Sequence, residues 1–551
     1  MIAEVNIHSK SFGAKDLYSN LELRISAGEK IGLIGRNGSG KSTLLNILSG
    51  IDNEYDGEAR LTKGTTMVST RQEHHKFEDT TVLDYIAHDL PEFSKLSHII
   101  QSYPAKMHTS KQMLQRYSDA LERFSQLGYY DIEHEITQAF EKYQIEPSRL
   151  TDTVGSLSGG QKRLVELVKV QRSRADLALI DEPTNHMDYV AKNFFIEWLA
   201  STDEAVLVIT HDRDVLNSVD RIVEIRDGKA DVFRGGYDKY LKINASSISA
   251  ELNEYEVTQR RIKNLHSDIS RFKRLKERAR DPDTIKQFKL RQNKAAKKLS
   301  ELQEKEKPSF WIDQESTANL STKITAAYDQ HKARNIKVQT KTKVTKSRQK
   351  LIGVSKLALG YDNSPLFTDV SFELREGDRL QLHGRNGVGK TTLVKSIIAA
   401  SQHAPPPVTV FEGTIDLDHT VTIGVYEQEL QLESMDLTLE EAIYDIHARH
   451  DLDCNQQRVR QLMNDYLFKY ETDARLAVSD LSGGQRSRLQ LIDMLTGQPN
   501  VLILDEPTNH LDLPSIEELE SAMNQYHGAV IYISHDSYFA EKIGGEVVTL
   551  P

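Results

Sequence analysis

The sequence predicts an α/β protein in which two tandem P-loop domains are joined by an antiparallel α-helical hairpin. The first observation is an internal repeat, which indicates that one structural unit occurs twice. The second is that an apolar, strand-like run precedes each P-loop and a helical run follows it. The third is a long helical stretch between the copies. Four motifs recur in the same order: GRNGSGKST at 35–43 and GRNGVGKTT at 384–392, LSGGQ at 157–161 and 481–485, LIDEPTNHMD at 179–188 and LILDEPTNHLD at 502–512, THD at 210–212 and SHD at 534–536.

The spacing of the motifs places the domain boundaries. The last three motif pairs share an offset of 324 residues and the first pair has an offset of 349, so the first copy is longer in its middle. Within the extra residues, PEFSKLSHII and SKQMLQRYSDALERFSQL predict two short amphipathic helices on either side of Pro104. A surface hairpin without a further role is the alternative for this insert. The predicted segments are a first domain at 1–240 with its insert at 88–135, a hairpin linker at 241–310, a connector at 311–350 and a second domain at 351–551.

Composition narrows the class of protein. A chain of 551 residues with 38% hydrophobic and 27% charged residues is typical of a globular protein with several domains. The one cysteine, Cys454, excludes a disulfide framework, a cysteine-rich zinc site and an iron–sulfur cluster. The first residues lack the order of a signal peptide, and no apolar run reaches the eighteen residues of a membrane span. We therefore expect a cytoplasmic protein without a membrane domain.

The GxxxxGK[ST] motif predicts a phosphate site in each copy. Its glycines let backbone N–H groups surround phosphates at a helix N-terminus, where the helix dipole favours anions. Lys41 and Lys390 are expected to reach the β- and γ-phosphates of ATP, and Ser42 and Thr391 to bind Mg²⁺. The residues predicted to hold the nucleotide here are Gly35, Arg36, Asn37, Gly38, Ser39, Gly40, Lys41, Ser42, Thr43, Gly384, Arg385, Asn386, Gly387, Val388, Gly389, Lys390, Thr391 and Thr392.

Two carboxylates end an apolar strand in each copy. Asp181 and Asp505 stand where an acid holds a Mg²⁺-bound water, and Glu182 and Glu506 where an acid orients or deprotonates the attacking water. Acids that merely cap the next helix are the alternative. Because the carboxylates follow a P-loop in both copies, the sequence favours two sites of ATP hydrolysis.

The signature LSGGQ between P-loop and carboxylates makes each copy resemble an ATP-binding cassette. In that family two cassettes pair head to tail, and each ATP lies between the P-loop of one and the signature of the other. The resemblance implies that Ser158, Gly159, Gly160 and Gln161 face the ATP on Lys390, and that Ser482, Gly483, Gly484 and Gln485 face the ATP on Lys41.

The same resemblance assigns further roles. Gln72 and Gln428 match the Q-loop glutamines, which also contact the metal, and His211 and His535 match the switch histidines that contact the γ-phosphate. Phe12 and Tyr361 fall where cassettes stack an aromatic ring on adenine, with a core aromatic as the alternative. Asp188 and Asp512 belong to the loops that link the two sites across the interface; one copy has Met187 where the other has Leu511, a conservative change.

The linker concentrates positive charge on an acidic chain. Residues 270–299 have a net charge of +9, whereas the whole chain has −11. Apolar residues at spacings of three and four predict two helices with a turn near 279–282, where Asp281 and Pro282 form an N-cap and a first helical position. We expect a first helix of about thirty residues, roughly 45 Å long, and a tip that contacts phosphates. The residues expected to contact RNA are Arg271, Lys273, Arg274, Lys276, Arg278, Arg280, Lys286, Lys289 and Arg291.

Tandem cassettes in one chain, EPTNH after both strands and a basic hairpin between them resemble the ABC-F family. Its members are translation factors and ribosome-protection proteins that bind the tRNA exit site of the ribosome. The resemblance implies ATP and Mg²⁺ as cofactors, a monomer whose own cassettes pair, and the ribosome as partner, with large-subunit rRNA and peptidyl-tRNA near the hairpin. It also implies that the insert serves as the arm of the family. It leaves open whether the chain regulates translation or protects against ribosome-targeting antibiotics.

Two other functions fit parts of the sequence. A DNA-associated tandem-cassette ATPase is the first, although the chain ends after the second cassette without the C-terminal coiled coil proposed to bind DNA in some relatives. A fused transporter ATPase is the second, and it gives the long basic hairpin no purpose.

Overall fold

The computed structural model divides the chain into two compact units. One unit comprises residues 1–237 and 336–551 and therefore contains both P-loop domains, and the other comprises residues 238–335. Within the described part, no helix is both long and apolar enough to cross a membrane. The structure describes residues 1–12, 15–71, 74–104, 111–185, 187–278, 281–303, 349–361, 364–426, 435–466, 468–481, 483–509 and 511–551.

The strands of the first domain form two sheets in the described part. An antiparallel three-stranded sheet has the order β2-β1-β4, and a six-stranded sheet has the order β5-β6-β7-β3-β8-β9, in which only β8 and β9 pair antiparallel. The central strands are buried along their length, as in parallel sheets covered on both faces. The strands are β1 Ala3–Phe12, β2 Lys15–Ile25, β3 Lys30–Gly35, β4 Asp56–Leu61, β5 Met67–Ser69, β6 Leu177–Asp181, β7 Ala205–Ile209, β8 Arg221–Arg226 and β9 Lys229–Arg234.

The helices of the first domain include the two predicted for the insert. Helices lie on either side of Pro104, and a small core that includes Leu96, Ala120 and Tyr129 packs between them, which confirms the two-helix prediction. The helices are α1 Lys41–Leu48, α2 Val82–His88, α3 Phe93–Ser102, α4 Lys111–Gln126, α5 Ile132–Lys142, α6 Gly159–Ser173, α7 Tyr189–Ser201 and α8 Arg213–Asn217.

The linker consists of helix α9, Tyr237–Arg278, and helix α10, Pro282–Gln303. The Asp281 carboxylate accepts hydrogen bonds from the backbone N–H and the hydroxyl of Thr284, at 2.9 and 2.6 Å, so the predicted N-cap is confirmed. The predicted length of the first helix is wrong. It has 42 residues, which is about 63 Å, because helical spacing continues back through the buried Tyr237 and Tyr240. Most of the connector at 311–350 lies outside the described residues.

The second domain repeats the first. Its described strands form sheets of order β11-β10-β13 and β14-β15-β16-β12-β17. The strands are β10 Lys350–Tyr361, β11 Ser364–Arg375, β12 Arg379–His383, β13 Thr409–Leu417, β14 Ile423–Tyr426, β15 Val501–Asp505, β16 Ala529–Ile533 and β17 Glu546–Thr549. The helices are α11 Lys390–Ser401, α12 Leu439–Arg449, α13 Gln456–Asp465, α14 Tyr470–Asp473, α15 Gly483–Leu495, α16 Leu513–Gln525 and α17 Ser537–Ile543.

The order of the parallel strands brings the motifs together. The P-loop follows β3, the carboxylates end β6, and the switch histidine follows β7, and these three strands are neighbours. The carboxyl ends of neighbouring parallel strands meet at one edge of the sheet, where ligands bind in such folds. The second domain has the same arrangement at β12, β15 and β16.

Candidate functional site at the interface of the cassettes

Each P-loop ends in a glycine with left-handed backbone that begins a helix. Gly40 precedes α1 with φ 100°, and Gly389 precedes α11 with φ 97°. A Cβ on Gly40 would lie 2.7 Å from the hydroxyl of Tyr18, which donates a hydrogen bond to the Gly40 carbonyl. A side chain is therefore excluded on both steric and conformational grounds.

The P-loop lysines turn back onto their own loops. The Lys41 ammonium donates to the carbonyls of Gly35 and Arg36 at 2.7 and 3.3 Å, and the Lys390 ammonium makes the equivalent bonds, both at 2.8 Å. Burial lowers the pKa of Lys41, while the carboxylates of Glu182, Asp512 and Asp181 act in the opposite direction. The first P-loop thus holds a buried lysine with acids close to it, and the ammonium could exchange its carbonyl contacts for an anion.

A hydroxyl and a carboxylate meet at the predicted metal position. The Thr391 hydroxyl donates to Asp505, with 2.9 Å between Oγ1 and Oδ2. Burial raises the pKa of Asp505, and this hydrogen bond opposes the increase. Because both groups offer oxygen ligands, which Mg²⁺ prefers, the residues present fit that ion. In the first copy Asp181 ends β6 and Ser42 lies in the first turn of α1.

A glutamate and a histidine form a buried pair in each copy. Glu182 Oε1 lies 3.4 Å from His211 Nε2, and Glu506 Oε1 lies 3.3 Å from His535 Nε2. Both glutamates have left-handed backbone, with φ 45° and 47°, a strained conformation that clusters at functional sites. The ring nitrogens of both histidines are buried and make no hydrogen bond.

Burial sets the protonation of these pairs. It raises the pKa of Glu182 to about 8, with Asp181 adding to the increase, and the pKa of Glu506 to about 7, with Asp505 adding. The pKa of both switch histidines is lowered to about 3, mainly by burial and also by the neighbouring P-loop lysine. Each pair therefore combines a neutral imidazole with a carboxyl group that titrates near neutrality, as suits proton transfer.

The two domains contact each other reciprocally through their P-loops. The Asp512 carboxylate accepts from the backbone N–H of Asn37 at 3.0 Å, and the Asp188 carboxylate accepts from the backbone N–H of Asn386 at 3.2 Å. Although burial alone raises the pKa of both acids, their hydrogen bonds lower it. The loop after each carboxylate strand thus reaches the P-loop of the other domain.

The helix after the second signature lies beside the first P-loop. Arg488 on α15 is close enough to Arg36 for the two like charges to repel each other. Glu518 on α16 is close enough to Arg36 for their opposite charges to attract. Burial raises the pKa of Glu518 to about 7, with the two arginines opposing the increase. In the first copy Ser158 caps α6, accepting from the backbone N–H of Gln161 at 3.3 Å.

Two cavities are lined by residues of the predicted sites. One lies over the second P-loop and is lined by Lys390, Thr391, Asp505, Glu506 and His535, together with Tyr361, whose side chain is 56% exposed. The other lies between the domains and is lined by both glutamates and both switch histidines. Outside the described residues are Gln72, Gln428, Ser482, Arg280 and the side chain of Phe12.

Two asparagines of the cavity between the domains were not among the predicted site residues. Asn185 and Asn509 line it, and the buried Nδ2 of Asn509 has no hydrogen-bond partner. The available signal was their repetition at the offset of 324, within PTNH in both copies.

Comparison with known proteins agrees with this architecture. A family model described as ABC transporter matches residues 18–185 and 367–509, and an extension model of the same description matches residues 223–320. YdiF of Bacillus subtilis is 30% identical over 100% of this chain and 80% of its own. The energy-dependent translational throttle protein EttA of Mycobacterium tuberculosis is 28% identical over 97% of this chain and 88% of its own.

Two further matches extend the comparison. ABC transporter F family member 2 of Arabidopsis thaliana is 28% identical over 98% of this chain and 75% of its own. The archaeal ribosome recycling factor aABCE1, solved in complex with stalk protein aP1, shares the fold with a TM-score of 0.58 at 16% identity, over 99% of this chain and 87% of that chain. The chain belongs to the ABC-F family of tandem ATP-binding cassette proteins.

Proposed function

We propose that this protein hydrolyses ATP at two composite sites and binds the ribosome when ATP has closed its cassettes. The observation that carries the proposal is the hairpin: exposed cations line a helix pair that is joined to two reciprocally contacting P-loop domains. The throttle protein EttA, a relative over nearly the whole chain, supports a role in translation. A ribosomal partner would place the protein in the cytoplasm.

At each site, separate groups of this chain would bind the phosphates and hold the metal ion. Lys41 and Lys390 would exchange their carbonyl contacts for phosphate oxygens, and backbone N–H groups of the P-loops would hold the other oxygens. Ser42 or Thr391, with Asp181 or Asp505, and the Q-loop glutamine would hold Mg²⁺, which supplies charge neutralisation for the phosphates.

Proton transfer falls to the buried pairs. Glu182 and Glu506 would orient the attacking water and accept its proton, because burial sets the pKa of these groups near neutrality. The unpaired nitrogens of His211 and His535 are available to a phosphate oxygen. Asp188 and Asp512 would report the state of one P-loop to the opposite domain through their backbone contacts. Tyr361 would support the adenine ring, given its exposed place beside the second P-loop.

The hairpin would supply the contacts to RNA. Arg271, Lys273, Arg274 and Arg278 on α9 are exposed, as are Lys286, Lys289 and Arg291 on α10. Of the apolar residues between them, Phe272, Leu275, Ile285 and Phe288 are half-buried and Leu290 is exposed. Lys276 joins the two helices through a 3.3 Å hydrogen bond to Gln292. Phosphate contacts from such a row release counterions and are strongly salt-dependent. We assign it to large-subunit rRNA and peptidyl-tRNA near the peptidyl-transferase region, with translation regulation and antibiotic protection as its two uses.

Co-sedimentation with ribosomes tests the proposal. The Glu182→Gln, Glu506→Gln protein should pellet with ribosomes in ATP and much less in ADP, and the ATP-dependent fraction should fall between about 50 and 200 mM salt. The wild-type protein in ATP is the control, since hydrolysis should release it. Pelleting that is independent of nucleotide, or tighter binding to branched DNA than to ribosomes in competition, would reject the proposal.

A further inference from the structure

One lysine joins the two switch loops across the interface of the cassettes. Lys192, on α7, donates from Nζ to the backbone carbonyl of His535 in the other domain at 2.8 Å. The same ammonium lies 3.3 Å from Asp212, the residue that follows His211, and 2.6 Å from Asp214. One cation therefore contacts both the loop that carries the first switch histidine and the loop that carries the second.

The environment of Lys192 keeps this contact intact. Its side chain is only 6% exposed. Burial alone lowers the pKa of Lys192, but the carboxylates of Asp212, Asp214 and Asp536 raise it above its usual value. A buried, charged ammonium with carboxylate partners is costly to displace, because leaving a buried charge unpaired is strongly destabilising.

Further contacts tie the same loops together. The Ser537 hydroxyl lies 2.8 Å from Asp214, and the Arg213 guanidinium lies 2.7 Å from Glu520, with both side chains of the latter pair buried. Arg213 also lies over the ring of Tyr538, 5.5 Å from its centroid. The residues just after one switch histidine thus meet those just after the other.

The repeat shows that this link is made from one cassette only. At the offset of 324, Lys192 corresponds to Ile516, Arg213 to Ser537 and Glu520 to Ile196. Ile516 has no ammonium to offer to the carbonyl of His211. The pseudo-twofold relation of the cassettes is therefore broken at the positions that connect the switch loops, whereas the Asp188 and Asp512 contacts are reciprocal.

We propose that Lys192 is a positioning residue that couples the two ATP sites, by fixing the second switch loop according to the state of the first. The inference rests on the proposed ATP binding at both sites and adds the path between them. Occupancy of the site on Lys41 would move the loop of His211 and Asp212, and Lys192 would carry that shift to the backbone of His535. Such a coupling appears as a change in affinity at one site when the other is filled.

A binding cycle with a fluorescent ATP analogue tests the coupling. All variants carry Glu182→Gln and Glu506→Gln. The affinity for the analogue at the site on Lys390 is measured in two proteins, one with the site on Lys41 intact and one in which Lys41→Ala prevents nucleotide binding there. We expect the intact first site to change that affinity by about fivefold or more. Adding Lys192→Met should reduce this ratio to less than about twofold, whereas Lys192→Arg should largely restore it.

Matched variants separate coupling from mere stability. Ile516→Met, at the corresponding position of the other domain, should leave the ratio unchanged. Lys192→Met with Asp214→Asn removes the link without leaving the 214 carboxylate unpaired, and it should behave like Lys192→Met. If Lys192→Met lowered the affinity equally with and without Lys41→Ala, so that the ratio of the two affinities stayed the same, the proposal would be overturned. ATP binding at neither site would instead reject the ATP assignment, and the coupling with it.

Discussion

The carboxylate of Asp512 accepts a hydrogen bond from the backbone N–H of Asn37, and the two residues lie in different cassettes. Its counterpart, Asp188, accepts from Asn386. Each P-loop is therefore in contact with the loop that follows the carboxylate strand of the opposite cassette. The backbone of each P-loop thus lies against a carboxylate of the other cassette.

Asp512→Asn should slow the first site selectively. In a Glu506→Gln background, where only the proposed site of Lys41 and Glu182 would turn over, we expect about a tenfold loss of ATP turnover, since a charge-assisted hydrogen bond contributes about 1.5 kcal/mol or more. Asparagine keeps the helix cap that Asp512 provides to Ser515. Phosphate release measures the rate.

The same substitution in a Glu182→Gln background is the control for that experiment. There only the proposed site of Lys390 and Glu506 would be active, and the loss should stay under about threefold because the P-loop that Asp512 contacts is the other one. Asp188→Asn should show the reverse pattern. Equal losses at both sites would mean that Asp512 acts through the fold as a whole.

Stability should fall with rising pH because of the buried glutamates. The pKa of Glu182 in the folded state is about 8 and that of Glu506 about 7, both above the unfolded value of about 4.5, so the folded state holds protons that the unfolded state has released. The stability they contribute is complete below the unfolded pKa and is lost as pH rises through about 7 to 8. The slope is at most about 1.4 kcal/mol per pH unit for each group.

Melting temperatures between about pH 6.5 and pH 8.5 check this prediction. The Glu182→Gln, Glu506→Gln protein should lose fewer degrees over that interval than the wild type. The two histidines, whose pKa of about 3 lies below the unfolded value, act in the opposite direction and only below about pH 6.5. Glu133→Gln with Glu412→Gln, on exposed side chains, should keep the wild-type slope; parallel slopes for all proteins would contradict the assignment.

Glu166→Ala should destabilise the first cassette. The buried Glu166 carboxylate contacts Lys169 at 2.7 Å and His74 at 2.8 Å, and it accepts from the backbone N–H of Arg71 at 2.9 Å. Removing it would leave the fully buried Lys169 with Asp89 as its remaining acid, and losing one partner of a buried ion pair costs about 3 to 5 kcal/mol. The unfolding transition of the first cassette, followed by limited proteolysis against temperature, measures the effect.

The second cassette provides a control for that network. The neutral Gln490 occupies the position of Glu166 at the offset of 324, and the facing helix α12 buries four apolar residues and His447 but no carboxylate or lysine. Gln490→Ala should therefore cost less than about 1 kcal/mol, as is usual away from buried charges. Comparable losses for the two substitutions would show that the ionic network of the first cassette does not stabilise it.

Charge reversal near the hairpin turn should lower the affinity for the ribosome and make that affinity less dependent on salt. Arg271→Glu, Arg274→Glu and Arg278→Glu remove exposed cations near the end of α9. The slope of log affinity against log salt should become shallower by about two to three, since each phosphate contact contributes about 0.9. Pelleting of the Glu182→Gln, Glu506→Gln background in ATP across a salt series supplies the slope.

Reversal far from the turn is the matched control. Arg260→Glu, Arg261→Glu and Lys263→Glu change the same total charge on the same helix, and the slope should change by less than about one. ATP turnover of both hairpin variants, measured with Glu182 and Glu506 intact and without ribosomes, should equal that of the wild type. A uniform effect of both triplets would indicate attraction by net charge alone, without a binding tip.

The repeat, the strands that precede each motif and the two helices of the linker could all be predicted from the chain alone. Local spacing carries that information, because apolar periods and caps are properties of neighbouring residues. The start of α9 could not be predicted in this way. The helix begins at Tyr237, and Tyr237 and Tyr240 are buried, but no local pattern before residue 250 indicated a helix there.

The residues that meet across the interface could not be predicted in this way, because they depend on how the two domains pack. Asn37 and Asp512, or Lys192 and His535, are hundreds of residues apart, and nothing in their own segments encodes the partner. The exact copies, Asp188 and Asp512, form matching contacts, whereas Lys192 and Ile516 do not. A repeated motif predicts a repeated site, but the pairing of the two domains, through packing and buried charge, decides how those sites communicate.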